Sequence, residues 1–294
     1  MAAKLLVAGR GRVGRSLAGA LAAAGHDAEL VAARSSAKRL LQALDSEPGA
    51  IVFLTVPDDA VRAVAERIVS AGAGLAPSVS FAHTSGALGL DALAPLARRH
   101  AVGSFHPLRS FPTPQPPLEF KGVVVAVDGS TAGLRRRLMG LARDLGARPR
   151  IVADRDRVLY HAAAVLASNY AVALLGLAVD LLQEIGWTER EAVAGLLPLL
   201  TGAVEQARAK GVTAALTGPI RRGDVKTVER HLEALRDLGP RDPSSRAAAI
   251  EVYRMLGAIT LEIATRAGLD PAAAERMRRA LTQKAAATRR RRRR

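Results

Sequence analysis

The sequence predicts an α/β domain with a doubly wound, mostly parallel sheet, followed by an all-α domain. Three observations carry this. A short apolar run at residues 4–8 leads directly into Gly9-x-Gly11-x-x-Gly14 and then an alanine- and leucine-rich segment, the order strand, tight turn, helix. Strand-like and helix-like segments then alternate as far as residue 152. From residue 154 to residue 287 strand patterns cease and long helical ones take over. The expected organisation is therefore residues 1–153 as a dinucleotide-binding domain, 154–287 as a helical domain for substrate and dimerisation, and 288–294 as a disordered tail.

In the first unit, Gly9 permits the turn, Gly11 lets the backbone approach a pyrophosphate, and Gly14 lets the helix lie close on the strand. The helix start offers unpaired N–H groups and the positive end of its dipole to phosphates. Gly9, Arg10, Gly11, Arg12, Val13 and Gly14 are thus the candidate cofactor loop. Residues 28–33 read as the second strand, whose end carries Arg34 and Ser35 in place of the carboxylate that would meet a ribose 2′-hydroxyl. A guanidinium and a hydroxyl can hold a 2′-phosphate, so the expected cofactor is NADP.

Further strands are expected at residues 50–56, 78–82, 101–105, 122–127 and 149–152, and helices at 37–44, 60–70 (capped by an aspartate of Asp58-Asp59), 90–99 and 130–145. Five prolines between Pro107 and Pro117 exclude helix and inner strand there and predict a stiff loop. Residues 154–185 read as one long buried helix. Helices at 189–210, with a kink at Pro198, and at 225–238, 244–267 and 271–287 follow.

Ligands of open α/β sheets bind beyond the carboxyl ends of the strands. Thr55-Val56-Pro57-Asp58, His83-Thr84-Ser85-Gly86 and His106-Pro107-Leu108-Arg109-Ser110 sit at such ends. Val56, Pro57, His83 and Thr84 are candidates for the nicotinamide side of the cofactor, and Ser85 and His106 for the chemistry. Arg109 is suited to a substrate carboxylate or phosphate. His161, Val165, Ser168 and Asn169 fall on one face of the long helix at i, i+4 and i+7/i+8. His161 is the preferred proton donor, because an imidazole titrates near neutrality. The bland readings are a turn cap for His83, a support for the proline loop for His106 and an interior hydrogen-bonded ring for His161. His26 reads as a helix C-cap, and His100 and His231 as solvated. The histidines lack common zinc spacing, so no metal is expected.

Composition bounds the rest. The absence of cysteine excludes disulfides and thiolate chemistry. With no run read as a membrane span and no leader pattern at the start, the expected compartment is the cytoplasm and no membrane partner is expected. The net charge of +16 includes six terminal arginines, 289–294, a solvated run able to make nonspecific contact with nucleic acid. Aromatic residues make up 3% of the chain, too few for stacking platforms on single strands.

These segments together carry a resemblance. Gly9–Gly14, Val56-Pro57-Asp58-Asp59, His83-Thr84-Ser85-Gly86, residues 104–112, 159–164 and 167–170, and Thr217-Gly218-Pro219-Ile220-Arg221-Arg222-Gly223-Asp224 are similar to bacterial Rossmann-like proteins with a helical C-terminal domain. Those proteins belong to the 6-phosphogluconate dehydrogenase-like superfamily and are commonly classed with NADP oxidoreductases. The resemblance implies an N-terminal NADP-binding domain and a helical domain that forms a homodimer and helps enclose the site. Arg222, within the last motif, is a candidate substrate contact. The superfamily's 3-hydroxyacid dehydrogenases carry a lysine four residues before an asparagine. Here that position is Val165, which leaves His161 as the nearest substitute. The expected function is an NADP(H)-dependent oxidoreductase transferring a hydride to a small keto or imino acid. The alternative is a regulator that binds NADP(H) without turnover.

Overall fold

The computed structural model describes residues 3–32, 49–71, 75–113, 116–238 and 243–283. Its contacts divide the chain into two compact units, Met1–Tyr170 and Ala171–Arg294. The sequence reading placed the division near residue 153. The first unit extends further because residues 154–167 are bonded to the sheet, as described below.

A seven-stranded sheet with order β2-β1-β3-β4-β5-β6-β7 fills the first unit. The strands are β1 (Leu5–Ala8), β2 (Ala28–Val31), β3 (Ile51–Leu54), β4 (Ser80–His83), β5 (Val102–Pro107), β6 (Val124–Gly129) and β7 (Arg148–Ile151). β1 and β3 are buried along their whole length, as expected of inner strands covered on both faces. Their residues alternate between two cores: Leu5, Val7, Ile51 and Phe53 on one face, Leu6, Ala8, Val52 and Leu54 on the other. The first core includes residues of α1 (Arg12–Ala23) and α4 (Ala132–Asp144). The second includes residues of α2 (Asp58–Ala71) and of the short α3 (Ala94–Ala97) with the 3₁₀ turn Leu90–Leu93 before it. That turn and α3 stand where one helix over 90–99 was expected.

All pairings are parallel except β5–β6. A parallel return needs a crossover, usually a helix. The described part of the proline-rich connection holds just the 3₁₀ turn Pro117–Phe120, so the chain turns back antiparallel. Pro107 ends β5, opposite Val125.

The helices from residue 157 onward are α5 (Arg157–Ala167), α6 (Asn169–Glu184), α7 (Glu189–Lys210), α8 (Val212–Ala215), α9 (Pro219–Arg222), α10 (Val225–Asp237), α11 (Pro243–Arg266) and α12 (Pro271–Thr282). The single buried helix expected over 154–185 is corrected on two points. It breaks at Ser168, whose backbone leaves helical geometry (φ −120°, ψ −72°) and whose hydroxyl donates to Ala164 O and Asn169 Oδ1. It also lies largely open: Leu159 is 77% and Val172 70% exposed. By length and composition alone, residues 154–184 are apolar enough to cross a membrane, contrary to the reading that no run is.

α7 runs through Pro198 and starts with a reciprocal capping box between Thr188 and Glu191. In the second unit Ile220, Val228, Leu232, Leu261, Met277 and Leu281 form the core that joins α9 to α12. Asp224 and Asp270 cap α10 and α12 by accepting backbone N–H bonds from Thr227 and Ala273.

Candidate active site

Two structures make the site, and both are built at strand ends. The first is the glycine turn. Gly9 has φ +140°, a conformation glycine adopts readily. A Cβ on Gly14 would stand 1.8 Å from Gly9 O, and one on Gly9 2.4 Å from Thr55 O, so β1, α1 and the end of β3 meet without side chains between them. Thr55 Oγ1 donates to Ala8 O and Gly9 O and locks the turn. A Cβ on Gly11, by contrast, would meet no atom within 4 Å, which leaves open space at the helix start. α1 has no side-chain cap and no acidic residue in its first turn, so its leading N–H groups are free for an anion. Arg10 and Arg12 are exposed beside it. The turn thus fits a dinucleotide phosphate. Arg34 and Ser35 lie outside the described residues.

The second structure is a polar cluster where β4 and β5 end. His83 and Ser104 are register partners on adjacent parallel strands. His106, two residues beyond Ser104, shares their face. α5 presents Arg157, Tyr160 and His161 at i, i+3 and i+4, hence on one helical face. Arg157 is fully buried. Its Nη1 donates to Ser85 O at 3.1 Å and its Nη2 to Ser104 Oγ. Nδ1 of His106 lies 2.9 Å from the Tyr160 hydroxyl, with the rings edge to face. The rings of His106 and His161 are 6.4 Å apart between centroids. A Cβ on Gly86 would lie 2.8 Å from both His106 Nε2 and His161 Nδ1, so glycine there is what lets the imidazoles converge. His161 Nδ1 is buried without a partner.

Electrostatics follow from burial. His83 and His106 are each pushed down to about 4, first by desolvation and then by the Arg157 cation. Both rings are therefore neutral near pH 7. Burial pushes the Tyr160 phenol up to about 12, opposed by Arg157. Among the described residues Arg157 has no carboxylate within ion-pair distance, so the end of the sheet holds a cation compensated by dipoles and by more distant aspartates.

Several expected roles change. His83 is fully buried, and its Nε2 meets Gly89 O at 3.2 Å, so it supports the site from beneath instead of lining the cofactor. Ser85 is also buried. Its hydroxyl donates to Asp58 Oδ2 and accepts from Ala87 and Leu88 N–H, which makes it the pin of the turn. The aspartate expected to cap α2 is thereby engaged with Ser85. Arg109 is paired with Glu119, through its carboxylate and its carbonyl, instead of standing free for substrate. Ser168 and Asn169 bond each other at the break between α5 and α6, so the continuous face from His161 to Asn169 is interrupted. Val56 and Thr84 are partly exposed and Pro57 exposed, at the ends of β3 and β4. Arg222 is exposed in the second unit, on a cleft of about 650 Å³ that Thr217, Arg221 and Asp270 also line.

Outside the cluster, the cap of α1 is Ala24 with Gly25 at φ +87° behind it. His26 follows with its side chain on Asp144. His100 is half-buried against Phe81 and bonded to Val79 O, not solvated. His231 is exposed and bonded to Tyr253.

The sequence reading missed the roles of Arg157, Tyr160 and Ser104; Thr55 and Gly86 lay in the strand-end segments it picked out, without the parts they play here. The signal available for Arg157 and Tyr160 was their i, i+3, i+4 spacing with His161; for Ser104 it was the period of two with His106.

Comparison with known proteins agrees with this architecture. No curated protein matches the sequence. Among solved structures, a presumed NADP oxidoreductase of Bacteroides fragilis aligns with TM-score 0.65 at 19% identity, over 87% of this chain and 98% of that one. Protein TM1727 of Thermotoga maritima gives 0.65 at 22%, over 89% and 98%. Pyrroline carboxylate reductase of Plasmodium falciparum, solved with NADP bound, gives 0.53 at 13%, over 95% and 98%. Identities this low speak for the fold. Family models assign residues 3–107 to the Rossmann-like domain and residues 123–260 to the domain of unknown function DUF2520. The chain accordingly carries a Rossmann-like region at its start and a DUF2520 region from residue 123 onward, the latter helical from residue 157.

Proposed function

We propose that the chain is an NADP(H)-dependent reductase of a small keto or imino acid, working as a homodimer through its helical region. The observation that carries this reading is the pairing of an open, uncapped phosphate turn at Gly9–Gly14 with a convergent His106–His161 pair beyond the ends of the same sheet. NADP-linked relatives of the same fold, such as the NADP-bound pyrroline carboxylate reductase, support the cofactor. Bound at the turn, with Arg34 and Ser35 on its 2′-phosphate, NADPH would supply the hydride.

This chain's own residues do the rest. The N–H groups that open α1 hold the pyrophosphate. Arg157 fixes the turn after β4 and the strand β5 to α5, and so sets the positions of His106 and His161. His161 is the proposed general acid. Its Nδ1 is buried, so Nε2 is the atom that delivers a proton to the reduced oxygen or nitrogen. Exposed apolar residues on α6 and α7, including Val172 and Leu199, support the dimer.

The test is a screen of 2-keto, 3-keto and cyclic imino acids for NADPH oxidation by the purified protein, repeated with His161→Gln. The variant is expected to lose about 10²- to 10⁴-fold in turnover and to keep its NADPH affinity within about twofold. Calorimetric binding of NADPH without oxidation of any acid would favour the non-catalytic regulator, a reading to which Val165 in place of a lysine lends support.

A further inference from the structure

The contact that the proposed chemistry leaves unused is the one between Tyr160 and His106. It is a side-chain pair at 2.9 Å, made by residues from different elements: His106 near the end of β5, Tyr160 on the first turns of α5. A neutral imidazole has one donor nitrogen and one acceptor, and the partner of one nitrogen decides the role of the other. Tyr160 therefore controls what His106 can do on its open side.

We propose that Tyr160 is a positioning residue whose O–H donates to Nδ1 of His106, fixing the ring as its Nε2–H tautomer and making it a neutral donor to the substrate's carbonyl oxygen or imine nitrogen. Three features of the site point to this polarity. Nε2 of His106 and Nδ1 of His161 each lie 2.8 Å from where a Cβ on Gly86 would stand, and no protein acceptor is bonded to that Nε2 among the described residues. His161 Nδ1 is buried and makes no hydrogen bond, so it does not take up the Nε2–H of His106. Arg157, held by Ser85 O and Ser104 Oγ, makes that region electropositive, which favours a ring that donates without carrying charge. The groups facing His106 are Arg157, Tyr160 and His161 from α5 and His83 from β4. Burial, Arg157, His161 and His83 all disfavour its protonation. The phenol is kept in its neutral, donating form by burial.

The inference rests on the reductase reading and divides labour between the two histidines. His106 polarises the C=O or C=N bond by a hydrogen bond that transfers no proton, and His161 supplies the proton. Tyr160 touches neither substrate nor cofactor in this scheme.

Histidine-ring ¹⁵N spectra of the full-length protein at pH 7.5 test it without substrate or cofactor, with His106→Gln used to assign the His106 signals. The expected result is one slowly exchanging Nε2–H pattern for His106 in the native protein, and a mixture of tautomers in Tyr160→Phe. A native ring in the Nδ1–H form overturns the proposal, whether or not Tyr160→Phe folds. So does a Tyr160→Phe ring still fixed as Nε2–H. Once an acid substrate is found, Tyr160→Phe should lower kcat by about tenfold, the scale of one hydrogen bond, with KM and NADPH affinity near native. An Nε2–H ring in a protein that oxidises no NADPH would refute the reductase reading and leave the tautomer standing. NADPH oxidation by a protein with an Nδ1–H ring would refute this inference alone.

Discussion

The buried imidazoles make the fold sensitive to mild acid, and the size of the effect follows from the structure. His83 is fully buried. Its Nε2–H donates to Gly89 O, while its Nδ1 has no partner and lies in the field of Arg157. A proton on Nδ1 would add a second buried cation, so the ring titrates at about 4 when folded against 6.5 for an ordinary histidine. The folded pKa is depressed, so between those values the unfolded chain binds the proton and the folded chain does not. Stability is then full above about pH 6.5 and falls as pH drops, by about 1.4 kcal/mol per unit per ring. At pH 5 the loss from His83 comes to about 2 kcal/mol. His106 adds a smaller amount because it is partly exposed. Few carboxylates change protonation between pH 7 and 5, so the histidine contribution can be separated. Urea melts at pH 7.5, 6.5, 5.5 and 5.0 measure it. His83→Gln retains a donor for Gly89 O and has nothing to titrate. It should be less stable at pH 7.5, yet should lose about 2 kcal/mol less than the native protein on going to pH 5. A native midpoint that stays level across this range, or a variant with the same loss, refutes the reasoning.

Gly86→Ala places a methyl group 2.8 Å from both His106 and His161, so the rings must move. Turnover should fall by about 10²-fold, the cost of an ångström-scale misplacement, with NADPH affinity unchanged by calorimetry. Gly14→Ala forces a Cβ to within 1.8 Å of Gly9 O. NADPH binding should be lost with it, or the domain should melt at markedly lower temperature in a thermal scan. Arg34→Ala should weaken NADP(H) by about 1–3 kcal/mol and leave NAD(H) nearly unchanged in paired titrations. Val172→Glu with Leu199→Glu sets charges on exposed apolar positions and should turn a dimer into a monomer by sedimentation velocity.

What was legible in the sequence was whatever local pattern determines. β1, β3 and α7 stand within a few residues of their expected places because continuous apolar runs and the Thr188-x-x-Glu191 box are local signals. The break at Ser168 was not legible. Serine in a helix usually bonds back to i−4 without breaking it, and here the hydroxyl also reaches Asn169. The site was half legible. Histidines at strand ends could be picked out by residue type, but Arg157 looks like one more arginine among 43 basic residues. Its role depends on Ser85 and Ser104, 72 and 53 residues away in the chain. Arg109 was misjudged for the converse reason: its partner Glu119 sits across a proline-rich turn whose course residue order does not give.

The exposed apolar side chains of α5, of α6 and of α7 call for a physical account. α6 buries Val179 alone and α7 Ala192 alone, while Leu159, Leu166, Val172, Leu199 and Val204 stand open. Each such side chain forgoes about 1.5–3 kcal/mol by remaining in water, so an occupant is strongly favoured. A bilayer would satisfy residues 154–184 by composition. It would also require Arg157 to leave Ser85 and Ser104, Asp154 to leave the N–H of Leu90, and Tyr160 to leave His106, because all these contacts are made by the start of the same segment. Breaking a buried charged group away from its partners costs about 3–5 kcal/mol, and the candidate active site would go with it. A second copy of the chain, as in the proposed dimer, would cover exposed apolar side chains of these helices and disturb none of those bonds. α5 has the design for that arrangement: Arg157, Tyr160 and His161 face the sheet, while Val158, Leu159 and Leu166 face outward. Pairing through that outer face would brace the very helix that sets the spacing of His106 and His161, which ties the proposed dimer to the proposed chemistry.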